Sequence, residues 1–411
     1  MTNRFSCAVL ATVLIAACSQ PADTSVDGAT AVPDANTIAR TSIIIDTHID
    51  VPYRLEESPT EDISRTTEGG DFDYPRAVSG GLNAPFMSIF TPAKLEAEGT
   101  SREIAEKLID LVEGFALQWP DKFAIAKSPA DVREQFEAGI MSLPLGMENG
   151  SPIEGDLANL KHFYDRGIRY ITPAHGLSNH ISDSSYDTNR QWNGLSEFGS
   201  EVIKEMNRLG IMVDVSHVSD EAFWQIMEIS RAPAIASHSS ARHFTPGFER
   251  NMSDDMIKAL ATNKGVIQIN FGSSFITAKA NEYATARREA GKLYAADHPE
   301  LSETDMYRQF PAIYAAEHGP FPFASLDDVL DHIDHVVSLT SVDNVGIGSD
   351  YDGVGDSLPV GLKDVAAYPN LIQGLLDRGY GEEDIRKILG ENPLRVWQAV
   401  EDYAATTSSK T

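Results

Sequence analysis

Cysteine is nearly missing from this chain: Cys7 and Cys18 are the only two in 411 residues. Both lie near the N-terminus, so no disulfide framework can hold the bulk of the protein together, and a buried core has to do so. Basic residues are scarce as well. Lys and Arg number 33 against 61 Asp and Glu, a formal net charge of −28, which excludes nucleic acid as a partner because phosphate binding needs clustered cations. The apolar stretch 8–17 is only about half the roughly 20 residues that a membrane-spanning helix requires. Glycine is missing between Asp46 and Leu55, just after the first strand-like run, where a doubly wound nucleotide-binding fold would carry its Gly-rich phosphate turn.

The N-terminus has instead the pattern of an export signal. Arg4 precedes the apolar stretch, and Leu14-Ile15-Ala16-Ala17-Cys18 resembles a bacterial lipobox, in which cleavage leaves the Cys18 thiol for diacylglycerol. The expected organisation is a signal peptide over 1–17, a lipidated Cys18 with a small-residue, Pro-containing tether over 18–38, and a catalytic domain over 39–405. Such a protein is exported and anchored to the cell envelope facing the periplasm, without crossing the membrane.

Eight strand-like runs follow in order, over 42–50, 84–90, 142–148, 168–175, 212–217, 233–238, 265–271 and 345–350. Amphipathic stretches with Ser or Thr caps separate most of them, as at Thr100-Ser-Arg-Glu103, Ser196, Ser219 and Ser253. Strand and helix in alternation predict an α/β fold, a (β/α)8 TIM barrel with a parallel sheet. Residues 276–324 are too long for a plain connection and predict a helical insertion after the seventh strand, over the barrel mouth.

Six of the runs end on acidic or metal-binding side chains: Asp46-Thr-His48-Ile-Asp50, Glu148, His175, His217, His238 and Asp350. A barrel collects the C-terminal ends of its strands around one mouth, so these groups can meet although some three hundred residues separate them. His48 and Asp50, two apart, point to the same face of a strand. By themselves they fit a buried His–Asp hydrogen bond as well as a metal site. His217 and His238 are one strand–helix repeat apart and become neighbours on the rim. Glu148 can bridge two cations through its two oxygens. Five ligands with one bridging carboxylate make two sites of three, each with an open position for water or substrate.

The stretches Ile45-Asp-Thr-His-Ile-Asp-Val-Pro52, Gly146-Met-Glu-Asn-Gly150, Tyr170-Ile-Thr-Pro-Ala-His175, Val213-Asp-Val-Ser-His-Val-Ser219, Ser230-Arg-Ala-Pro-Ala-Ile-Ala-Ser-His-Ser-Ser240, Arg250-Asn251 and Gly348-Ser-Asp-Tyr-Asp-Gly353 resemble, in family order, the renal (membrane) dipeptidase family of zinc metallopeptidases. The resemblance implies two zinc ions, with His48 and Asp50 on one, His217 and His238 on the other, and Glu148 between them. It implies further that His175 polarises the scissile carbonyl, that Arg250, with Asn251 beside it, binds the substrate carboxylate, and that Asp350 transfers the proton. The activity implied is hydrolysis of L-Xaa-L/D-Xaa dipeptides. Partners expected are the dipeptide, the membrane through the lipid anchor alone, and a second copy of the chain in a homodimer. Two alternatives are hydrolysis of another bond (β-lactam, lactone or phosphoester) and a non-catalytic binding lipoprotein, which Asp350 beside five ligands disfavours. The segment Asn270-Phe-Gly-Ser-Ser departs from the family, with Gly272 where some relatives carry an aromatic.

Among the remaining candidates, Asp46 is expected to orient His48, and Asp352 to be a loop acceptor. His180 and Asp183 fit either substrate contact or loop support. Arg242 and His243 rival Arg250. His332 and His335 are expected on the solvated face of an acidic helix.

Overall fold

Eight parallel strands, labelled β1 to β8, alternate with helices in the computed structural model: Ile45–Ile49, Ala84–Phe90, Leu145–Glu148, Ile168–Thr172, Met212–Val213, Ile235–Ser239, Val266–Ile269 and Val345–Ile347. The structure describes residues 1–2 and 34–408; Cys18, the signal-like segment and most of the tether lie outside these. β1 to β5 pair in sequence order, as do β6 to β8. Parallel bridges between Asp214 and Ile235 and between Ile49 and Tyr351 close the two sheets into a ring. A closed ring has no sheet edge to protect, and it aims every strand C-terminus at one rim.

The third strand differs from its expected bounds of 142–148. Pro144, which has no N–H to donate, splits it into Met141–Leu143, paired with Phe123–Ile125 outside the barrel, and the barrel strand β3. The tether also ends sooner than residue 38. Asp34 caps a helix over Ala35–Thr41 through the Thr37 N–H, and Ile38 within it is fully buried.

Apolar side chains at the strand starts, Ile45, Ala84, Phe86, Met212, Ile235 and Val266, pack with Leu394, Trp397 and Val400 of the last helix, Asn392–Ser408. This plug closes the lower end of the barrel, opposite the rim where the strands end. The stretch after β7 holds two long helices, Ala278–Asp297 and Glu303–His318. Arg288 of the first lies 5.8 Å over the ring of Tyr186, which in turn faces His217 at the mouth. Among the described residues, no helix is long and apolar enough to cross a membrane.

Candidate active site

Glu148 ends β3 at the centre of the mouth, 4% exposed. Its Oε1 is 3.0 Å from Nε2 of His217, 3.2 Å from Nε2 of His238 and 3.5 Å from Nε2 of His175. Its Oε2 is 3.4 Å from Nε2 of His48, which is itself 3.4 Å from Oδ2 of Asp50. Asp350 completes the cluster within reach of His48 and Asp50. One bridging-length carboxylate thus touches imidazoles from four different strand ends.

Backbone shape brings these groups inward. His217 and Asp350 both occupy the left-handed region, with φ of 66° and 64°, a conformation uncommon for side chains other than glycine and one that concentrates at functional sites. Gly353 is needed for a different reason. A Cβ there would fall 2.2 Å from Oδ1 of Asp350 and 2.2 Å from Oδ2 of Asp50, so only bare backbone fits against the two carboxylates. Gly146 serves the same end: a Cβ would sit 1.9 Å from Cζ of Tyr170.

Tyr170 is the residue that sequence reasoning missed. Its hydroxyl donates to the Thr47 carbonyl at 3.1 Å, so toward Nδ1 of His48, 2.8 Å away, it has only a lone pair to offer. His48 must then carry a proton on Nδ1, and its Nε2 points at the two carboxylates. The same logic fixes His238. Ser237 Oγ donates to Asp214 Oδ2 at 2.6 Å and accepts from Nδ1 of His238 at 2.7 Å, leaving Nε2 turned to the mouth. Neither Nε2 of His48 nor Oδ1 of Asp50 has a hydrogen-bond partner although both are buried. An unpaired imidazole nitrogen and an unpaired carboxylate oxygen, beside the Nε2 atoms of His217 and His238 crowded 2.8 Å apart against Glu148, fit divalent cations, and the outer groups that orient them are the support such ligands ordinarily have.

The electrostatics agree. Burial would raise the Glu148 carboxyl, but the surrounding His175 and His48 rings hold it well below the usual range. Burial pushes His217 and His238 well down, with Arg250 adding to it, so both are neutral and able to ligate. At His48, burial acts downward but Tyr170, Glu148 and Asp50 prevail and raise it well above the ordinary value. The field that holds a proton at that nitrogen is the field that would hold a cation in its place. Burial lowers His175 and raises Asp350 to about 7, while Asn270 Nδ2 donates to Asp350 at 2.7 Å.

Arg250 reaches the site beside β6, its guanidinium donating to Ser239 Oγ at 2.8 Å and to the His238 carbonyl at 2.7 Å, with Nε unpaired. Asn251 does not join it as a substrate ligand. Both amide hydrogens go to Thr245 Oγ1 and the Phe275 carbonyl, and its oxygen accepts from the Ser240 N–H, so the buried side chain is spent on holding the loop. Arg242 is no rival, being paired with Asp220 at 2.6 Å. Asp46 does not touch the His48 ring; it accepts from the backbone of His48 and Ser349 and from Tyr368, tying β1 to β8. Asp352 accepts from Arg54 and the Asp71 N–H, and Asp183 from Gln191, Trp192 and Gly194, both as loop supports. His332 is fully buried rather than solvated, bonded to the Ala241 N–H and the Ile276 carbonyl. His335 is partly buried and pairs with Asp254.

A closed parallel barrel with four imidazoles and three carboxylates converging at its mouth has the form of a metal-dependent hydrolase. Residues 32–411 match the family model of membrane dipeptidase, peptidase family M19. The chain belongs to that family and is a dipeptidase-type metallopeptidase. It is 32% identical over 374 residues to an uncharacterized dipeptidase of Schizosaccharomyces pombe, with 87% of this chain and 81% of that protein covered. Its structure is similar to that of the probable dipeptidase PvdM from Pseudomonas aeruginosa, with a TM-score of 0.78, 27% identity and coverage of 90% and 98% of the two chains. A metallopeptidase from Rhodobacter sphaeroides, solved with a phosphinate mimic of L-Ala-D-Ala, shares the fold with a TM-score of 0.71 at 24% identity, over 87% and 99% of the chains.

Proposed function

We propose that the chain hydrolyses L-Xaa-L/D-Xaa dipeptides at a site for two zinc ions, one held by His48 and Asp50, the other by His217 and His238, with Glu148 shared. The observation that carries this reading is the pair of imidazoles, His48 and His238, whose tautomers Tyr170 and Ser237 set so that Nε2 faces Glu148. Two cations bound there would supply Lewis acidity that brings the pKa of a water far down, toward ~7, and polarises the scissile carbonyl. The protein's own groups do the rest. Asp350 takes the proton from the attacking water on a carboxylate oxygen and passes it to the departing amine. His175, its ring edge-on to Phe90 at 4.7 Å, faces the oxygen on which negative charge develops. Arg250 presents a planar donor fork to the free carboxylate, which selects dipeptides over longer chains.

This reading includes an envelope location through lipid on Cys18, and pairing as a homodimer. Incubating chelated and zinc-restored protein with L,L and L,D dipeptides, and counting freed amino acids, tests the activity. Zinc-restored protein that leaves dipeptides intact but opens a β-lactam or lactone would overturn the substrate. Equal fractionation of wild type and Cys18→Ser as soluble protein would overturn the anchor, and a monomeric mass in sedimentation would overturn the dimer.

A further inference from the structure

Away from the mouth, three metal-binding side chains from three elements meet at the surface. His243 lies in the short 3-10 turn Arg242–Phe244 after β6, Asp254 opens the helix Asp254–Thr262, and His335 belongs to the helix Leu326–Leu339. Nε2 of His335 is 2.8 Å from Oδ1 of Asp254. The His243 and His335 rings stack with centroids 4.4 Å apart and planes at 22°. One ligating atom from each residue lies within 4.8 Å of the other two. The peptidase chemistry uses none of them.

A simple Asp–His hydrogen bond with a second ring stacked on it leaves two things over. His243 is exposed, and among the described residues its contacts are with the rings of Phe244 and His335. Among the described residues no Lys or Arg pairs with Asp254: Arg242 is held by Asp220, and Lys258 lies 3.8 Å from Asp255. Two imidazoles and one carboxylate are a zinc donor set with positions left for water. Coordination needs the exposed His243 ring to turn until a nitrogen faces Asp254, a motion open to a surface side chain.

The position of this cluster gives it a consequence. It brackets the loop that carries Arg250. Across the loop's base the Arg242 N–H donates to the Met252 carbonyl at 2.8 Å, and the Arg242 guanidinium donates to the carbonyls of Asn251 and Glu249 at 2.7 and 2.9 Å. A cation shared by His243 and Asp254 closes that base from outside, and His335 fastens it to the neighbouring helix.

We propose that His243, Asp254 and His335 form a peripheral site for a divalent transition-metal ion such as zinc, separate from the barrel mouth and weaker than it, whose occupancy clamps the Arg250 loop. Zinc-loaded wild type, His243→Asn and His335→Gln are equilibrated with increasing free zinc, and bound zinc per chain and Tm are measured. Wild type takes up one further ion after the mouth is filled, and its Tm rises with that step. Each variant loses the late uptake and the Tm rise while keeping the early uptake and the kcat found at low free zinc. His243 is exposed, so His243→Asn decides the matter even if His335→Gln folds poorly. No late uptake in wild type, or late uptake that persists in His243→Asn, overturns the proposal. The readout is a difference between two forms of the chain, so it stands or falls separately from the number of ions at the mouth.

Discussion

Replacing Tyr170 by Phe removes one oxygen from a fully buried ring and isolates the groups that set the state of His48. The hydroxyl accepts from Nδ1 of His48 at 2.8 Å and donates to the Thr47 carbonyl at 3.1 Å. Both partners stay buried without it. An orphaned buried polar group costs about 1–3 kcal/mol, so with two of them the folded state should lose on the order of 2–6 kcal/mol. The larger diagnostic is metal affinity. With Nδ1 unpaired, His48 is no longer confined to the tautomer that turns Nε2 inward, and loss of such outer support weakens metal binding by roughly 10- to 100-fold. Competition between protein and a calibrated chelator should show that drop at neutral pH, and kcat at saturating zinc should return most of the way to wild type. Gly146→Ala should move in the same direction with a greater loss of stability, because its Cβ would meet the Tyr170 ring at 1.9 Å. An unchanged chelator midpoint in Tyr170→Phe, with only Tm lowered, would refute the argument that this hydroxyl prepares a ligand.

Asp350→Asn keeps shape but removes the proton acceptor, so kcat should fall about 10²- to 10⁴-fold with metal content retained. Burial raises the Asp350 carboxyl to about 7 and the group acts when ionised. Wild-type kcat/KM should therefore rise with pH along an acid limb at or below that value, bound cations drawing it lower, and the Asn variant should lack the limb. Arg250→Ala should lower kcat/KM for free-acid dipeptides by roughly 2–4 kcal/mol and for amide-capped ones much less; equal losses would move the carboxylate contact elsewhere. Chelation should lower Tm as well as activity, since it leaves Asp50, Glu148 and Asp350 crowded together, and zinc should restore both; a Tm indifferent to chelator would count against a metal at the mouth.

Local pattern was enough to locate much of this site. His48 and Asp50 two apart, His217 and His238 one repeat apart, and Glu148 and Asp350 closing apolar runs are readable because strand period and strand–helix repeat are properties of the backbone alone. Even the burial of His332 is latent in the chain: it lies three residues after Val329, on a helix that also buries Leu330, Ile333 and Val336, an apolar stripe interleaved with acidic residues. What only the tertiary structure decided is which partner each polar group meets. Tyr170 reaches His48 across 122 residues and Tyr368 reaches Asp46 across 322, pairings set by barrel closure, about which periodicity carries no information. Asn251 next to Arg250 in sequence turns away from the mouth for the same reason, its three bonds lying on the loop and the segment after β7. Sequence by itself determined which residues could come to the rim; closure of the ring decided which of them carry bare nitrogens and oxygens there and which are consumed in holding it shut, because a buried polar group takes whatever partner the fold brings within hydrogen-bond reach.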